Sequence, residues 1–596
     1  MNWIVSLMFK LFLIFFAYSF FIMSEIAFAE VRVIDLTEKN PNIGDNDSQV
    51  INEEVIIEEE NSNIEIFTEV SKENENTLED ISNISTTEVK KFSEVWKNSN
   101  KKDLIFLFNK IEQVSSKSIR ESLVNFLVYG SVPPDGIPQQ EFDKYRITTL
   151  KKLGDIESAI TVIESIETYE DNKEIYDLIK IEKNLTDYNL VSVCDIFNNE
   201  SKFISDSYIL KIKIFCSYLN NNIEEADFYN SLLLEDSKDD YFQTLYNKLT
   251  GVNNNLESIK NYNYDKESIQ LYSAMMRSAD LPFSIDFVDL NSPQLLKAIA
   301  ISPSTDIDIR IAAAEKAYKF NSLNSESVAA IYQSVDFSSD ELKNPMITIE
   351  ENYKNNHQMA MALLFQSSRI QILPISRLQA LSNFWNYSSS LDHSQLAYDL
   401  SMDLLDTIEP TSELIEFSIG TSMAHLYSNN IKDAKEWLKL ADSNIKKENI
   451  KINNEYLKLL FLINLKEQNY EIDESLFKNL LESLEITESD INNIELYLTT
   501  LEEIGFNIPR YLWELTSVKI NDDRNIPSIY AIKLINESSE KKNIGELFLN
   551  IAVSLDGYKW SKIHPYHITL IFNSLRRIDR DEIIQDLTME ILEDIG

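Results

Sequence analysis

The sequence predicts an all-α fold: irregular two-helix units arranged as a solenoid, preceded by a disordered acidic arm. Three observations lead there. Only 10 Gly and 13 Pro punctuate 596 residues, too few for a turn-rich all-β chain. From Phe92 onward, apolar residues recur at helical spacing in stretches separated by short polar breaks. One short phrase also occurs three times: Gly154-Asp155-Ile156-x-x-Ala159, Asn221-Asn222-Ile223-x-x-Ala226 and Asn429-Asn430-Ile431-x-x-Ala434. Each copy follows one apolar helical stretch and opens another, so it reads as the turn of a helical hairpin. Hairpins repeated along a chain build a solenoid, which presents a surface rather than performing chemistry.

The N-terminus reads as a signal peptide spanning residues 1–29. Lys10 precedes the apolar run Leu11 to Met23, and Ala27-Phe28-Ala29 supplies the small residues a signal peptidase reads. Such a run spans only about 20 Å of helix, against a hydrocarbon core of roughly 30 Å. Cleavage is therefore expected between Ala29 and Glu30, giving a periplasmic or secreted protein with no integral membrane segment afterwards.

Residues 30–90 carry no sustained period and are rich in Glu, Asn, Ser and Thr. They hold a net charge of −13 out of −42 for the chain. A segment of this kind buries too little apolar surface to offset its ordering entropy, so it is expected to be a flexible acidic arm. The strong negative charge also argues against nucleic acid and anionic lipid surfaces as partners.

Two helical-repeat regions are expected after the arm, over 91–345 and 346–596. Leu104, Phe106, Leu107 and Ile111 share one broad helical face, and a second helix is expected from Ser116 to Tyr129, with Gly130 at its end. Pro133, Pro134, Gly136 and Pro138 mark a loop. Further on, Ala298-Ile299-Ala300 and Ala312-Ala313-Ala314 with Ala317 suggest close helix packing, interrupted at Pro303 to Asp306. A last helix over Asp581 to Asp594 places Ile583, Ile584, Leu587, Ile591 and Leu592 on one face, as a capping or docking helix.

The three phrases are loosely similar to the tetratricopeptide pattern, in which a polar turn precedes a small residue at a helix crossing. Ala159, Ala226 and Ala434 occupy that small position, and Trp437 and Ala441 continue the third copy. The first-helix Trp and Leu-Gly signature is missing and the intervals are uneven. The repeats are accordingly expected to be irregular.

Cys194 and Cys216 flank a polar connection over Asn198 to Ser207. Residues roughly equidistant from the turn of an antiparallel hairpin face each other, so a disulfide across one helix pair is expected in an exported chain. Two buried thiols that merely pack are the alternative.

Glycine spacing speaks against several chemistries together. No two Gly lie two, four or five residues apart, which is not the pattern of a dinucleotide fingerprint, a serine-hydrolase elbow or a P-loop. No His is followed by Glu, and two Cys do not make a four-thiolate zinc site. His564-Pro565-Tyr566-His567 has two possible ligands but no third at motif spacing, so it reads as a loop or helix start. Asp306 with Asp308, and Asp522 with Asp523, are acidic pairs that could do acid–base work but do not stand out in so acidic a chain. No catalytic, cofactor or metal residue is assigned. Some periplasmic lytic transglycosylases also begin with a helical superhelix, but the Gly-rich segment that follows their catalytic Glu has no counterpart here.

Several phrases in order resemble a family of exported helical proteins from alphaproteobacteria, some of them labelled antifreeze glycopeptide polyprotein. They are Pro133-Pro134-Asp135-Gly136 before Leu153-Gly154-Asp155, the segments around Cys194 and Phe215-Cys216, Ala298 to Pro303, Arg310 to Ala317, and Ala330-Ile331-Tyr332. The resemblance covers roughly 125–345. It implies an all-helical exported protein with the Cys in recurrent positions, and no activity comes with it.

The function expected from these readings is a non-catalytic interaction scaffold for a protein partner, serving envelope assembly. The alternative is a cell-wall-active enzyme working through carboxylates. A structural filler of the envelope is a third reading that the sequence does not separate.

Overall fold

The computed structural model describes residues 92–112, 114–166, 172–198, 207–236, 239–252, 265–448, 454–470, 490–516 and 522–594. The expected signal peptide, its cleavage point at Ala29 and Glu30, and the expected acidic arm lie outside them. The described residues form an all-helical structure, mostly α-helix, and their single β-type pairing is the isolated bridge between Asn525 and Ile563. No helix among them is long and apolar enough to cross a membrane.

Local chemistry sets the helix ends. Ser116 caps helix Lys117–Tyr129 by accepting from the Ile119 N–H at 3.3 Å, and Gly130 ends it. Helix Asp581–Asp594 buries Ile584, Leu587, Thr588, Ile591 and Leu592, with Ile583 partly covered. Helices Pro293–Ala300 and Ile307–Lys319 pack together, and Ala313, Ala314 and Ala317 are fully buried there.

The three phrases share one turn geometry. Gly154, Asn221 and Asn429 all take positive φ, at 82°, 58° and 61°. In each turn two backbone bonds close back over the preceding helix. Asp155 N reaches Leu150 O at 3.0 Å, Asn222 N reaches Ser217 O at 2.9 Å, and Asn430 N reaches His425 O at 2.8 Å. This is a Schellman closure, which needs a left-handed residue that Gly and Asn adopt at low cost. The next residue starts the following helix. Asp155 accepts from Ser158 N at 2.9 Å, Asn222 from Glu225 N at 3.4 Å, and Asn430 from Asp433 N at 3.4 Å. Two residues therefore end one helix and cap the next, which is why the connections are so short. Ala159, Ala226 and Ala434 are fully buried where the paired helices touch.

Two apolar clusters hold the helices together, and they do not follow chain order. One joins Val95 to Ile179 with Met423 to Leu592; the other runs from Ile181 to Ala424 and includes Trp437. Tyr332 and Ile349, on either side of the expected boundary at 345/346, share the second cluster. The first helices thus pack on the last. Helix Lys117–Tyr129 meets Ile544–Leu555 and Asp581–Asp594, and Lys101–Lys110 also meets Ile544–Leu555.

Trp96 forms the centre of that junction. It is fully buried, donates to Phe126 O at 2.9 Å and packs on Phe108 and Phe142. Two glycines make room for its ring. A Cβ on Gly130 would lie 2.3 Å from Trp96 Nε1, and one on Gly545 would lie 2.5 Å from Trp96 Cε3. The Gly545 N–H also donates to Val95 O at 3.2 Å.

Candidate functional site

Where the first and last described helices meet, carboxylates tie the elements together. Glu590, on helix Asp581–Asp594, accepts from Ser116 Oγ at 2.8 Å, Ser118 N at 2.6 Å and Trp560 Nε1 at 3.1 Å. Burial pushes its carboxyl above the usual range, and these donors hold it back. Glu546 likewise accepts from Asn100 N at 2.9 Å. Both are committed to joining the first helices to the last.

One turn further on, Glu593 is different. Among the described residues it makes no hydrogen bond or ion pair, yet charged and aromatic groups from distant parts of the chain surround it. Burial raises its carboxyl, Lys458 opposes the rise, and Glu590 and Asp392 reinforce it. Burial likewise lowers Lys458 and Lys319, both of which feel the Glu593 charge. Tyr318, Tyr398 and Tyr427 are all raised, first by burial, and each of them also senses Glu593.

Glu593, Lys458 and the three tyrosines are only half-buried, and Lys319 is exposed. The Glu593 charge couples these residues from five separate segments of the chain. Tyr398 and Tyr427 stack at 5.2 Å, while Tyr318 donates to Asp399. Lys559 pairs with Asp392 at 2.5 Å, with Asp594 4.0 Å away. Cations, carboxylates and phenols of this kind can bind a polar partner group by hydrogen bonding and stacking.

The residues singled out in the sequence lie elsewhere. Gly154, Asn221 and Asn429 serve turns. Cys194 and Cys216 are joined, with Sγ atoms 2.08 Å and Cα atoms 5.5 Å apart, linking helices Leu190–Asn198 and Ser207–Leu219. His564 caps helix Pro565–Arg577 by accepting from Tyr566 N at 3.1 Å. His567 points instead into the core, with Nε2 2.9 Å from Ser554 Oγ. Asp522 is bound by Arg524 at 2.6 Å, which holds its carboxyl down to about 2. Asp306 and Asp308 sit at the start of helix Ile307–Lys319, with the Asp308 carboxylate accepting from Ile309 N at 2.9 Å.

Sequence reasoning missed a buried ionic cluster on the disulfide-linked helix Ser207–Leu219. Lys211 has a side chain only 2% exposed and meets Asp239 at 2.5 Å, Asp265 at 3.1 Å, Ser268 at 3.0 Å and the Tyr272 hydroxyl at 3.3 Å. Its one sequence signal was a lysine in the apolar run Tyr208 to Phe215. The two aspartates it needs lie 28 and 54 residues away along the chain.

Comparison of the chain with family models, with curated proteins and with solved structures gave no match.

Proposed function

We propose that this chain is an exported, non-catalytic scaffold that binds a protein partner, and that its hairpins form an irregular tetratricopeptide-like solenoid serving envelope assembly. One observation carries the reading. The connection between helices His357–Arg369 and Pro374–Ser389 exposes four large aliphatic residues within six positions: Ile370 at 48%, Ile372 at 86%, Leu373 at 64% and Ile375 at 47%. Leaving such a side chain in water forgoes about 1.5–3 kcal/mol of burial each. A contiguous exposed patch of this kind marks an interaction surface.

The connection is also held in shape. Arg377 Nε donates to Gln371 O at 3.0 Å and Arg369 pairs with Asp403 at 2.8 Å. A preset loop loses little entropy on binding.

The test is in-cell crosslinking and pull-down of the tagged protein, with partners identified by mass spectrometry. A variant carrying Ile372→Ser and Leu373→Ser is compared with the native chain. Loss of a reproducible protein partner from the variant supports the scaffold. An unchanged set of partners removes the patch as the binding surface.

The second reading, a carboxylate enzyme acting on cell-wall material, is favoured by Glu593 alone. Its raised carboxyl and lack of partners suit a general acid. Turnover of peptidoglycan that Glu593→Gln abolishes, without change in the far-ultraviolet spectrum, would favour this reading over the scaffold.

A further inference from the structure

A concavity lies at the end of helices His357–Arg369 and Pro374–Ser389 opposite the exposed connection. It has a volume of about 400 Å³ and is lined by Met346, Ile347, Ile349, Glu350, Lys354, His357 and Tyr387. That volume falls within the range of roughly 300–1,000 Å³ usual for small-ligand sites.

Its wall is built by an uncommon piece of backbone. Pro345 opens the short helix Pro345–Thr348, which passes directly into a π-helical turn over Ile349–Tyr353. Such turns are rare and occur frequently at functional sites. Met346 and Ile347 stand 46% and 58% exposed there, while Ile349 is buried beneath them.

Polar groups complete the lining. Glu350 and Lys354 lie on and just after the π turn, four residues apart, and both are exposed. Among the described residues neither has an ion-pair partner, so two opposite charges stand unpaired beside an apolar wall. His357 begins helix His357–Arg369, and its Nδ1 lies 2.9 Å from the Tyr387 hydroxyl. That places two further hydrogen-bonding groups in the same concavity as Lys354.

We infer that this concavity binds a small aliphatic zwitterion, an α-amino acid or a short peptide. Glu350 takes the ligand ammonium. Lys354, with His357 and Tyr387, takes its carboxylate, and Met346, Ile347 and Ile349 take the aliphatic side chain. The two ligand charges equal the two unpaired site charges in number and oppose them in sign, which neither a simple fatty acid nor a simple amine does. The inference goes beyond the scaffold reading and does not depend on it.

Ligand-observed NMR on the full chain tests it with four probes: L-leucine, leucinamide, 4-methylpentanoate and leucyl-leucine. Leucine is expected to bind at least tenfold more tightly than leucinamide or 4-methylpentanoate. Stronger binding of leucyl-leucine than of leucine assigns the ligand to peptides, and weaker binding assigns it to free amino acids.

Two variants at exposed positions separate recognition from folding. Glu350→Gln is expected to weaken leucine at least tenfold without weakening 4-methylpentanoate. Lys354→Met is expected to weaken leucine and 4-methylpentanoate at least tenfold while sparing leucinamide. Equal binding of the three single-residue probes, no binding of leucine, or equal loss of all probes in both variants would overturn the assignment.

Discussion

His567 offers the sharpest test of how this interior was built. It is fully buried on helix Pro565–Arg577. Ser554 Oγ lies 2.7 Å from Ile551 O and spends its only hydrogen there. His567 Nε2 must therefore be the donor to Ser554, which leaves Nδ1 unprotonated. Nδ1 is buried and has no hydrogen-bond partner among the described residues. Protonating it would bury a cation with no acceptor, so desolvation, with a smaller push from His564, lowers the imidazole from 6.5 to about 4.

The unfolded chain takes up this proton near pH 6.5 and the folded chain only near 4. Between those values the unfolded state binds more protons, so stability present above 6.5 is lost as pH falls. At 1.36 kcal/mol per pH unit, the loss between pH 7 and pH 4 is about 3 kcal/mol. Glu546, Glu590 and Glu593 have raised carboxyls and act in the opposite sense, so the native chain alone does not isolate the effect.

His567→Gln does isolate it, because the amide keeps a donor for Ser554 and does not titrate. Urea unfolding of both proteins at pH 7 and pH 4 should show the native chain losing about 3 kcal/mol more than the variant. Parallel losses in the two proteins would refute the assigned tautomer and the lone buried Nδ1.

Two other changes have defined outcomes. Removing the bridge with Cys194→Ser and Cys216→Ser frees a loop with a sequence separation of 22. That should cost about 3 kcal/mol, and hydrogen exchange should accelerate first in helices Leu190–Asn198 and Ser207–Leu219; unchanged protection there would show that packing alone holds the pair. Gly545→Ala should destabilise by about 1–3 kcal/mol despite the better helix propensity of Ala, because its Cβ meets the Trp96 ring at 2.5 Å. Gly420→Ala approaches Trp385 only to 3.2 Å and should be tolerated far better; equal thermal melting shifts in the two variants would contradict this account.

The sequence by itself determined whatever is decided within a few residues. Ser116, Gly130 and the helix over Asp581–Asp594 were legible because caps and apolar stripes act locally. The three turns at Gly154, Asn221 and Asn429 were legible because Gly and Asn tolerate positive φ. The same closing backbone bond occurs after Tyr188, Gln468 and Lys542, at φ of 61°, 56° and 56°, and there no residue preference announces it. At those turns the packing of the flanking helices imposes a conformation that the side chain does not favour.

Only the tertiary structure decided which distant segments meet. Glu590 reaches Ser116 across 474 residues, and Lys211 finds its aspartates across a separate helix pair. Glu593 became notable only once folding brought the charges of Lys458, Asp392 and Lys319 within reach of it. Such contacts leave no periodic trace in a single sequence. Their energy comes from burying one helix face against another, and many helices of this chain offer apolar faces of similar width, so shape and capped ends choose among them.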